Sequence, residues 1–370
     1  MTIEPPAPLC GMPLDELAAI LHPLPRFRAL QIFKWIARGT LDIDQMTDIP
    51  SSLREELKKT FTVCSGKIES HHECKDSLKI VIAFPDKSDF VKIESVLLTD
   101  DKGRLTACLS TQAGCPLGCV FCKTGSLGFI RNLSAAEIVE QFLYLRRAAR
   151  AVRETARDNI AQETSSNNID NIVVMGMGEP LLNLDELRKA LEIITDPQGM
   201  NFSKRRITIS TSGISEKIED MTHNGPPVRL ALSLVTADEK LRQRLMPACQ
   251  NQPLAKIKKV LVDFQKAGGG RVTLEIVLLG GVNTRQEDAL SIAGFAKGLD
   301  TVINLIPWNP AEGLYFDFKP LCEPEKKEIE HFARHLEKLG LKITKRRSKG
   351  RGIMGACGQL GGSVKKVHKK

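Results

Sequence analysis

The stretch STQAGCPLGCVFCKTG, residues 110–125, crowds three cysteines into eight positions, at Cys115, Cys119 and Cys122. It follows directly on RLTACLS (104–110), an alternating apolar run that predicts a β-strand. The glycines of the same stretch let its backbone pass close to a bulky group. In a large chain outside an oxidising compartment, clustered cysteines bind metal or do chemistry more often than they form disulfides. The stretch therefore predicts a reactive or metal-binding loop at the end of a strand.

From this strand onwards the chain alternates strand-like and helical runs, which predicts an α/β fold. The strand-like runs are RLTACLS (104–110), IDNIVVMGM (169–177), RRITIST (205–211), VRLALSLV (228–235), GRVTLEIVLL (270–279) and TVINLIPW (301–308). The helical runs between and after them are SAAEIVEQFLYLRRAARAV (134–152), NLDELRKALEII (183–194), ISEKIEDMT (214–222), LAKIKKVLVDFQKAG (254–268) and QEDALSIAGFAKGL (286–299). Six such βα units predict a parallel sheet, open or curled into a partial barrel, with its chemistry at the carboxyl ends of the strands.

The chain before residue 104 has a different organisation. LDELAAIL (14–21) and FRALQIFKWIARG (27–39) have helical apolar spacing, and Gly39 is a typical helix stop. LKIVIAF (78–84) and DFVKIESVLLT (89–99) alternate as strands around a turn. We therefore expect a helical domain at 1–62, a β-strand extension at 63–103, the barrel at 104–345 and a C-terminal loop and basic tail at 346–370. The polar stretch 153–168 is expected to be an exposed loop or a helix extension.

Composition and charge restrict the class of protein. Hydrophobic residues make up 42% of the 370 residues and charged residues 26%, as in soluble globular proteins. There is neither a long apolar run nor a hydrophobic signal core, so we expect a cytoplasmic protein without a membrane partner. The net charge of +9 is clustered, which favours a polyanion such as nucleic acid over solvated helix faces. The basic clusters are 145–153, 203–206, 344–351 and 364–370.

Three thiols in one loop leave several kinds of site open. Structural zinc takes four ligands, and no fourth ligand is obvious near the loop. A 4Fe–4S cluster also takes four cysteines, so three would leave one iron free for a small molecule. Zinc and simple reduced thiols remain the alternatives at this point.

The CxxxCxxC spacing after the first strand of a βα series resembles the radical S-adenosylmethionine (SAM) superfamily. VVMGMGEP at the second strand is similar to its glycine-rich SAM segment, here with Gly178 and Glu179. The resemblance implies a partial (β/α)6 TIM-like barrel. It also implies one 4Fe–4S cluster on Cys115, Cys119 and Cys122, with SAM on the open iron.

A narrower resemblance runs from about residue 13 to residue 360. The chain is similar to the RlmN/Cfr family of radical SAM RNA methyltransferases in five ordered motifs: GCPLGCVFCKTGSLGFIRNLSAAEIVEQ (114–141), GMGEPLLNLDEL (176–187), SKRRITISTSG (203–213), INLIPWNP (303–310) and ACGQL (356–360). It implies methylation of adenine carbon-2 in 23S rRNA, at an adenine-2503 type site of the peptidyl-transferase centre, and of adenine-37 in tRNA. It also implies that the helical domain contacts RNA.

The resemblance assigns a role to individual residues. Cys357 matches the cysteine that is first methylated by one SAM. A second SAM then gives the radical that activates this methyl group. Its addition to the adenine forms a transient protein–RNA crosslink. Cys108 matches the resolving cysteine, which forms a disulfide with Cys357, and Glu94 matches the base that takes the ring proton. The implied SAM contacts are Gly178, Glu179, Ser210, Ser233, Leu234, Val235 and Asn304.

Two positions depart from the family pattern. Val235 stands where a SAM-contacting histidine is common, and GRGIMGAC (350–357) lacks the usual acidic residues before the methylated cysteine.

Further expectations are a monomer and an external one-electron reductant of the flavodoxin or ferredoxin type. The alternatives are a carbon-8 adenine methyltransferase of the antibiotic-resistance type, a non-catalytic iron–sulfur RNA-binding protein, and a radical enzyme for a small molecule.

Overall fold

The computed structural model describes residues 6–86, 89–157 and 169–362. Most of the predicted loop 153–168 and the whole basic cluster 364–370 lie outside these residues. Within them, no helix is both long enough and apolar enough to cross a membrane.

The N-terminal part is helical, as its apolar spacing predicts. The helices are α1 Leu14–Ile20, α2 Arg26–Arg38 and α3 Ser51–Thr60. In α2 the buried residues Ala29, Ile32, Phe33 and Ile36 recur at helical spacing and form one packed face. Gly39 ends the helix with φ of 94°, a left-handed conformation that glycine adopts without strain. A short parallel pair, β1 Ala7–Pro8 and β2 Phe61–Thr62, joins the two ends of this part.

One ten-stranded sheet carries the rest of the molecule. Its order is β16-β13-β12-β11-β10-β9-β6-β5-β4-β3, and two separate hairpins, β7–β8 and β14–β15, lie outside it. The bounds are β3 Lys67–Cys74, β4 Ser77–Asp86, β5 Asp89–Thr99, β6 Leu105–Cys108, β7 Gln112–Gly114, β8 Phe129–Asn132, β9 Asn171–Val174, β10 Ile207–Thr211, β11 Arg229–Ser233, β12 Val272–Leu278, β13 Thr301–Pro307, β14 Tyr315–Phe316, β15 Lys319–Pro320 and β16 Ile343–Lys345.

The six predicted barrel strands pair in parallel in chain order, which confirms the α/β class. A seventh strand, β16, pairs in parallel with β13 and was not counted in the sequence prediction, because only three of its residues are paired. At the other edge β5 runs antiparallel to β6, so the β-strand extension and the barrel strands form one continuous sheet.

Helices connect the parallel strands. They are α4 Ala135–Arg157, α5 Leu184–Thr195, α6 Ser215–Asn224, α7 Glu239–Leu245, α8 Leu254–Phe264, α9 Gln286–Ala296 and α10 Lys326–Lys338. Of these, α10 lies within the helical run EPEKKEIEHFARHLEKLG (323–340), and only α7 lacks such a run, because its seven residues offer few apolar positions. The Asp238 carboxylate caps it by accepting hydrogen bonds from two backbone N–H groups.

Alternation along the strands separates an apolar face from a polar one. In β12, Leu274 and Ile276 are completely buried in the main hydrophobic core. Glu275 points to the opposite face, since successive side chains of a strand alternate. There its Oε2 accepts a hydrogen bond of 2.7 Å from Ser210 Oγ of β10. The second face of the parallel sheet therefore carries polar side chains among apolar ones such as Val277.

Substitution of Gly114, which precedes the first cysteine of the loop, tests how tightly the backbone is confined there. Gly114 and Gly103 both have φ of 73°, but only a Cβ on Gly114 would meet backbone, 1.9 Å from the carbonyl oxygen of Gly128. We expect Gly114→Ala to lower the free energy of unfolding by about 3 kcal/mol and Gly103→Ala by about 1 kcal/mol. Urea denaturation of both variants measures this. Equal losses would contradict the confinement.

Candidate active site

The cysteine loop is held in place by backbone hydrogen bonds on both sides. The β7–β8 hairpin leads into it, and the amide of Cys115 donates to the carbonyl of Gly128 over 2.9 Å. The amide of Cys122 donates to the carbonyl of Cys119 over 3.1 Å and closes the turn between them. The three sequence-predicted cysteines therefore lie on one fixed loop beyond the carboxyl end of β6.

The environment of the three thiols fits a cluster better than a single ion. Burial raises the pKa of Cys115 to about 12, raises that of Cys119 well above its usual value and also raises that of Cys122. Thiolates at such a place need positive charge beside them, which iron would supply. The Sγ atoms of these three described cysteines do not all lie within 4.8 Å of one another, as the ligands of a single ion would. A 4Fe–4S cluster needs the wider spacing, because each cysteine binds a different iron.

The glycine-rich turn after β9 lies beside this loop. The Glu179 carboxylate is completely enclosed and accepts hydrogen bonds from Thr211 Oγ1 at 2.6 Å, the Ser212 amide at 2.8 Å and the Leu181 amide at 3.1 Å. Burial raises the pKa of Glu179, and these hydrogen bonds oppose the shift. The side chain of Glu179 thus ties the end of β9 to the end of β10.

One cavity joins the cysteine loop, the glycine-rich turn and the polar strand face. Ser210 and Ser233 lie on neighbouring strands with their hydroxyls 3.1 Å apart, and Glu275 accepts from Ser210. The lining includes Cys115, Cys119, Cys122, Gly176, Gly178, Glu179, Ser210, Ser212, Ser233, Glu275, Asn309 and Cys357. This set combines thiols, hydroxyls, two carboxylates and glycine backbone, which suits a polar cofactor next to a metal cluster.

The C-terminal loop is fastened across this cavity from two sides. Asn309 Nδ2 donates to the carbonyl of Cys357 over 3.0 Å, and the Lys123 amide donates to the carbonyl of Gly358 over 2.7 Å. Thr124 Oγ1 donates to the carbonyl of Leu360 over 2.7 Å. The cysteine loop and the end of β13 therefore position Cys357 over the mouth of the cavity.

Cys108 and Cys357 come together at a second, smaller cavity, together with Arg346. Burial raises the pKa of Cys108 to about 12, the nearby Cys357 raises it further, and the Arg346 guanidinium opposes the shift. Interaction with Cys357 is the main reason why the pKa of Arg346 is raised. A fixed cation thus lies beside both thiols. All ten cysteines are free thiols in the structure, so the predicted Cys108–Cys357 disulfide stays a prediction.

Strand register brings Glu94 to the same face as Cys108. Val96 of β5 pairs directly with Cys108 of β6, and Glu94 lies two residues from Val96 on the same face. The Glu94 side chain is completely buried, 3.5 Å from Lys79 Nζ. Its Oε2 also accepts a hydrogen bond of 3.0 Å from the amide of Gly361. The three residues with predicted catalytic roles therefore lie around one region of the site.

Three predicted SAM contacts lie outside the cavity lining. Leu234 and Val235 are completely buried in apolar clusters, and Val235 has φ of 64°. Asn304 faces Thr344 of β16, whose hydroxyl donates to Asn304 Oδ1 over 3.1 Å. The assignment of these three residues stays a prediction.

Several polar residues of the site were missed by the sequence analysis. Lys79 and Glu275 are charged residues inside the strand-like runs LKIVIAF and TLEIVLL, and that signal could have identified them. Arg346 belongs to the basic cluster 344–351, and nothing in the sequence indicates that its side chain turns towards Cys108 and Cys357. Gln112 accepts a hydrogen bond of 2.9 Å from the Glu179 amide, which no pattern in the sequence indicates.

Comparison with known proteins gives matches over nearly the whole chain. Residues 109–293 match the Radical SAM superfamily model, and residues 9–63 match the ribosomal RNA large subunit methyltransferase N-terminal domain. The probable dual-specificity RNA methyltransferase RlmN of Treponema denticola is 46% identical over 357 residues, 96% of either chain. That of Treponema pallidum is 42% identical over 354 residues, 95% of this chain and 97% of the relative. A radical SAM methyltransferase from Sphaerobacter thermophilus superposes with a TM-score of 0.87 and 34% identity, covering 96% of this chain and 99% of that one.

The buried pair of Lys79 and Glu94 gives a stability prediction. Lys79→Met removes the nearby cation from a fully buried carboxylate, so we expect a loss of about 3 kcal/mol in the free energy of unfolding. Adding Glu94→Gln should restore most of it, because the buried charge is then gone. The control is Lys92→Met in the exposed pair with Glu69, for which a loss below about 1 kcal/mol is expected. Denaturation measures the free energy of unfolding of all these variants. A double variant whose loss equals the sum of the two single losses would refute the coupling between Lys79 and Glu94.

Proposed function

Because this chain belongs to the RlmN family of radical SAM RNA methyltransferases, we propose that it methylates carbon-2 of adenine in 23S rRNA, at the peptidyl-transferase centre, and in the anticodon loop of tRNA. The observation that carries this proposal is the convergence of Cys357, Cys108 and Glu94 beside the three-cysteine loop. Two thiols and a carboxylate are the groups that such a reaction needs from the protein.

The cofactors follow from the family and from the donor set. Cys115, Cys119 and Cys122 would hold the 4Fe–4S cluster, and Ser210, Ser233, Glu179 and the backbone at Gly178 would hold SAM. When bound, the two together supply a carbon-centred radical, given one electron from an external flavodoxin or ferredoxin type of reductant. We propose two SAM molecules per turnover, one for the methyl group and one for the radical.

The protein's own residues then have distinct tasks. Cys357 carries the methyl group as S-methylcysteine and becomes linked to the adenine through it, because an electron-poor ring carbon does not attack a methyl cation donor directly. Glu94 accepts the ring proton, for which its position next to Lys79 is suitable. The Cys108 thiol then attacks Cys357, which breaks the bond between the Cys357 sulfur and the transferred carbon, forms the disulfide and releases the RNA; the surplus electron of the adduct would return to the cluster. Two electrons from an external reductant and two protons restore both thiols. Arg346 would stabilise either thiol as a thiolate.

The proposed domain organisation assigns RNA contact to more than one region. Residues 1–62 would contact RNA, 63–103 would bring Glu94, 104–345 would bind the cofactors and 346–370 would present Cys357. The chain is proposed to act as a monomer. Of the predicted basic clusters, 145–153 is partly used internally: Arg146 donates to the carbonyl of Ala37, and Arg153 pairs with Asp170. Residues 204–206 are exposed and remain available for phosphate.

A basic groove at the carboxyl end of the sheet fits single-stranded RNA. It has a volume of about 570 Å³ and is formed by the segments after β11, β12 and β13. Exposed cations around it are Lys240, Arg244, Arg285 and Lys319, of which Arg244 pairs with Asp317 and Arg285 with Asp288. The β14–β15 turn adds Phe318, which is fully exposed although large apolar side chains are usually covered. Cations for phosphates beside an aromatic ring for a base are typical of single-strand recognition.

The central test is product analysis with anaerobically reconstituted protein. With SAM, reductant and unmethylated 23S rRNA or tRNA, we expect 2-methyladenosine by mass spectrometry of the digested nucleosides. Cys357→Ala should abolish the product and leave RNA binding unchanged, whereas Cys322→Ser, at an exposed cysteine, should retain it. An 8-methyladenosine product would assign the carbon-8 activity instead. RNA binding without any product from the wild type would favour the non-catalytic alternative.

The groove gives a second, kinetic prediction. Phe318→Ala removes one stacking surface, so we expect the KM for RNA to rise about tenfold with kcat nearly unchanged. Phe318→Trp should keep the KM close to that of the wild type. Leu290→Ala, at a half-exposed apolar side chain on α9, serves as the control. A KM unaffected by Phe318→Ala would remove this turn from the RNA-binding surface.

A further inference from the structure

A second group of possible metal ligands lies outside the active site, where the N-terminal part meets α4. Cys10 follows β1 in a short helical turn, Cys64 follows β2, and Glu140 lies in the second turn of α4. Cys10 and Glu140 are completely enclosed, and Cys64 is half-buried. Three segments far apart in sequence thus contribute one donor group each.

The backbone fixes these donors next to one another. The amide of Cys10 donates to the carbonyl of Val63 over 3.2 Å, which sets Cys10 beside Cys64 in continuation of the β1–β2 pairing. Cys10 Sγ lies 3.9 Å from Glu140 Oε1, and the three ligand atoms all lie within 4.8 Å of one another. In the described part of the chain this is the one set of three that meets this limit.

The charge balance at the group is unusual for a buried position. Glu140 accepts hydrogen bonds from the Ser65 amide, the Ser65 hydroxyl and the Gly66 amide, at 2.7, 2.9 and 2.7 Å. Across residues 6–86, 89–157 and 169–362, no lysine, arginine or histidine forms an ion pair with Glu140. Glu137 lies nearby but is itself paired with Arg131, and Tyr144 donates to the carbonyl of Gly66. Buried charges are usually paired with a cation or bound to a metal.

We propose that Cys10, Cys64 and Glu140 bind one divalent cation of the zinc class. Two sulfur donors with one carboxylate oxygen suit zinc, which takes thiolate and carboxylate together in tetrahedral sites. Donor atoms at about 2.0–2.3 Å from such an ion are about 3.5–3.8 Å apart, close to the observed sulfur–oxygen distance. The cation takes the place of the two thiol protons. A water molecule entering beside the half-buried Cys64 completes the coordination.

Such an ion would join the N-terminal part to the barrel. The turn that carries Cys10 packs so closely on α4 that a Cβ at Gly11 would lie 2.5 Å from the Cβ of Ala136. The turn that carries Ser65 and Gly66 is already attached to Glu140. One cation coordinated from both turns and from α4 therefore crosslinks three segments, independently of the reaction at Cys357.

The test measures metal content in the full-length, cluster-reconstituted protein after addition of zinc and removal of the loosely bound excess. We expect about one zinc per chain in the wild type. Cys64→Ser and Glu140→Gln should each lower zinc retention more than tenfold, with iron content and SAM cleavage unchanged. Cys322→Ser is the matched control and should retain the zinc. Glu140→Gln preserves the shape of the side chain and so covers the case in which a cysteine variant misfolds.

Zinc bound at the cluster loop must be separated from zinc bound here. The variant Cys115→Ala, Cys119→Ala, Cys122→Ala should lose the iron but keep one zinc. Loss of the zinc in that variant, or zinc content indifferent to Cys64→Ser and Glu140→Gln, would overturn the proposal. So would a wild-type protein that retains no zinc and yields a Cys10–Cys64 disulfide peptide under non-reducing conditions. Failure of the RNA methylation assay would leave this result unaffected.

Discussion

The antiparallel pairing of β5 with β6 is the constraint on which the arrangement of the site depends. Without it, the β-strand extension would be a separate three-stranded sheet of β3, β4 and β5, and Glu94 would have no fixed relation to the barrel. With Val96 opposite Cys108, the alternation of side chains leaves Glu94 and Cys108 on one face of the sheet. A one-residue shift in this register would turn Glu94 towards the opposite face. A buried carboxylate is tolerated there because a lysine and a backbone amide lie next to it.

Polar side chains on the inner face of the parallel sheet are likewise tolerated because they have hydrogen-bond partners. Ser210, Ser233 and Glu275 come from three successive strands and satisfy one another by hydrogen bonds. A half-satisfied network in this position would cost more than an apolar face, since each unpaired buried group is unfavourable. The strands can therefore keep polar groups available for a ligand while their outer faces pack against the helices.

Local patterns in the sequence were enough to predict the order of strands and helices and the three-cysteine loop. Alternation and helical spacing act over a few residues, so the six parallel strands could be identified without knowing their partners. The pairing of β5 with β6, the pairing of β16 with β13, and the inward turn of Arg346 depend on contacts between distant segments. Family resemblance supplied Cys357, Cys108 and Glu94. It did not identify Lys79, Glu275 or Gln112 as site residues, because their roles are defined by the residues that they contact in the folded chain.

The C-terminal loop described above also affects access to Glu94. The amide of Gly361 donates to Glu94 Oε2, and Lys79 Nζ lies 3.5 Å from the same oxygen. In the proposed reaction, a nucleobase that transfers its proton to this oxygen competes with the Gly361 amide for it. The apparent affinity for RNA then scales with the fraction of molecules in which this hydrogen bond is open. Under this proposal the loop is an intramolecular competitor of the substrate.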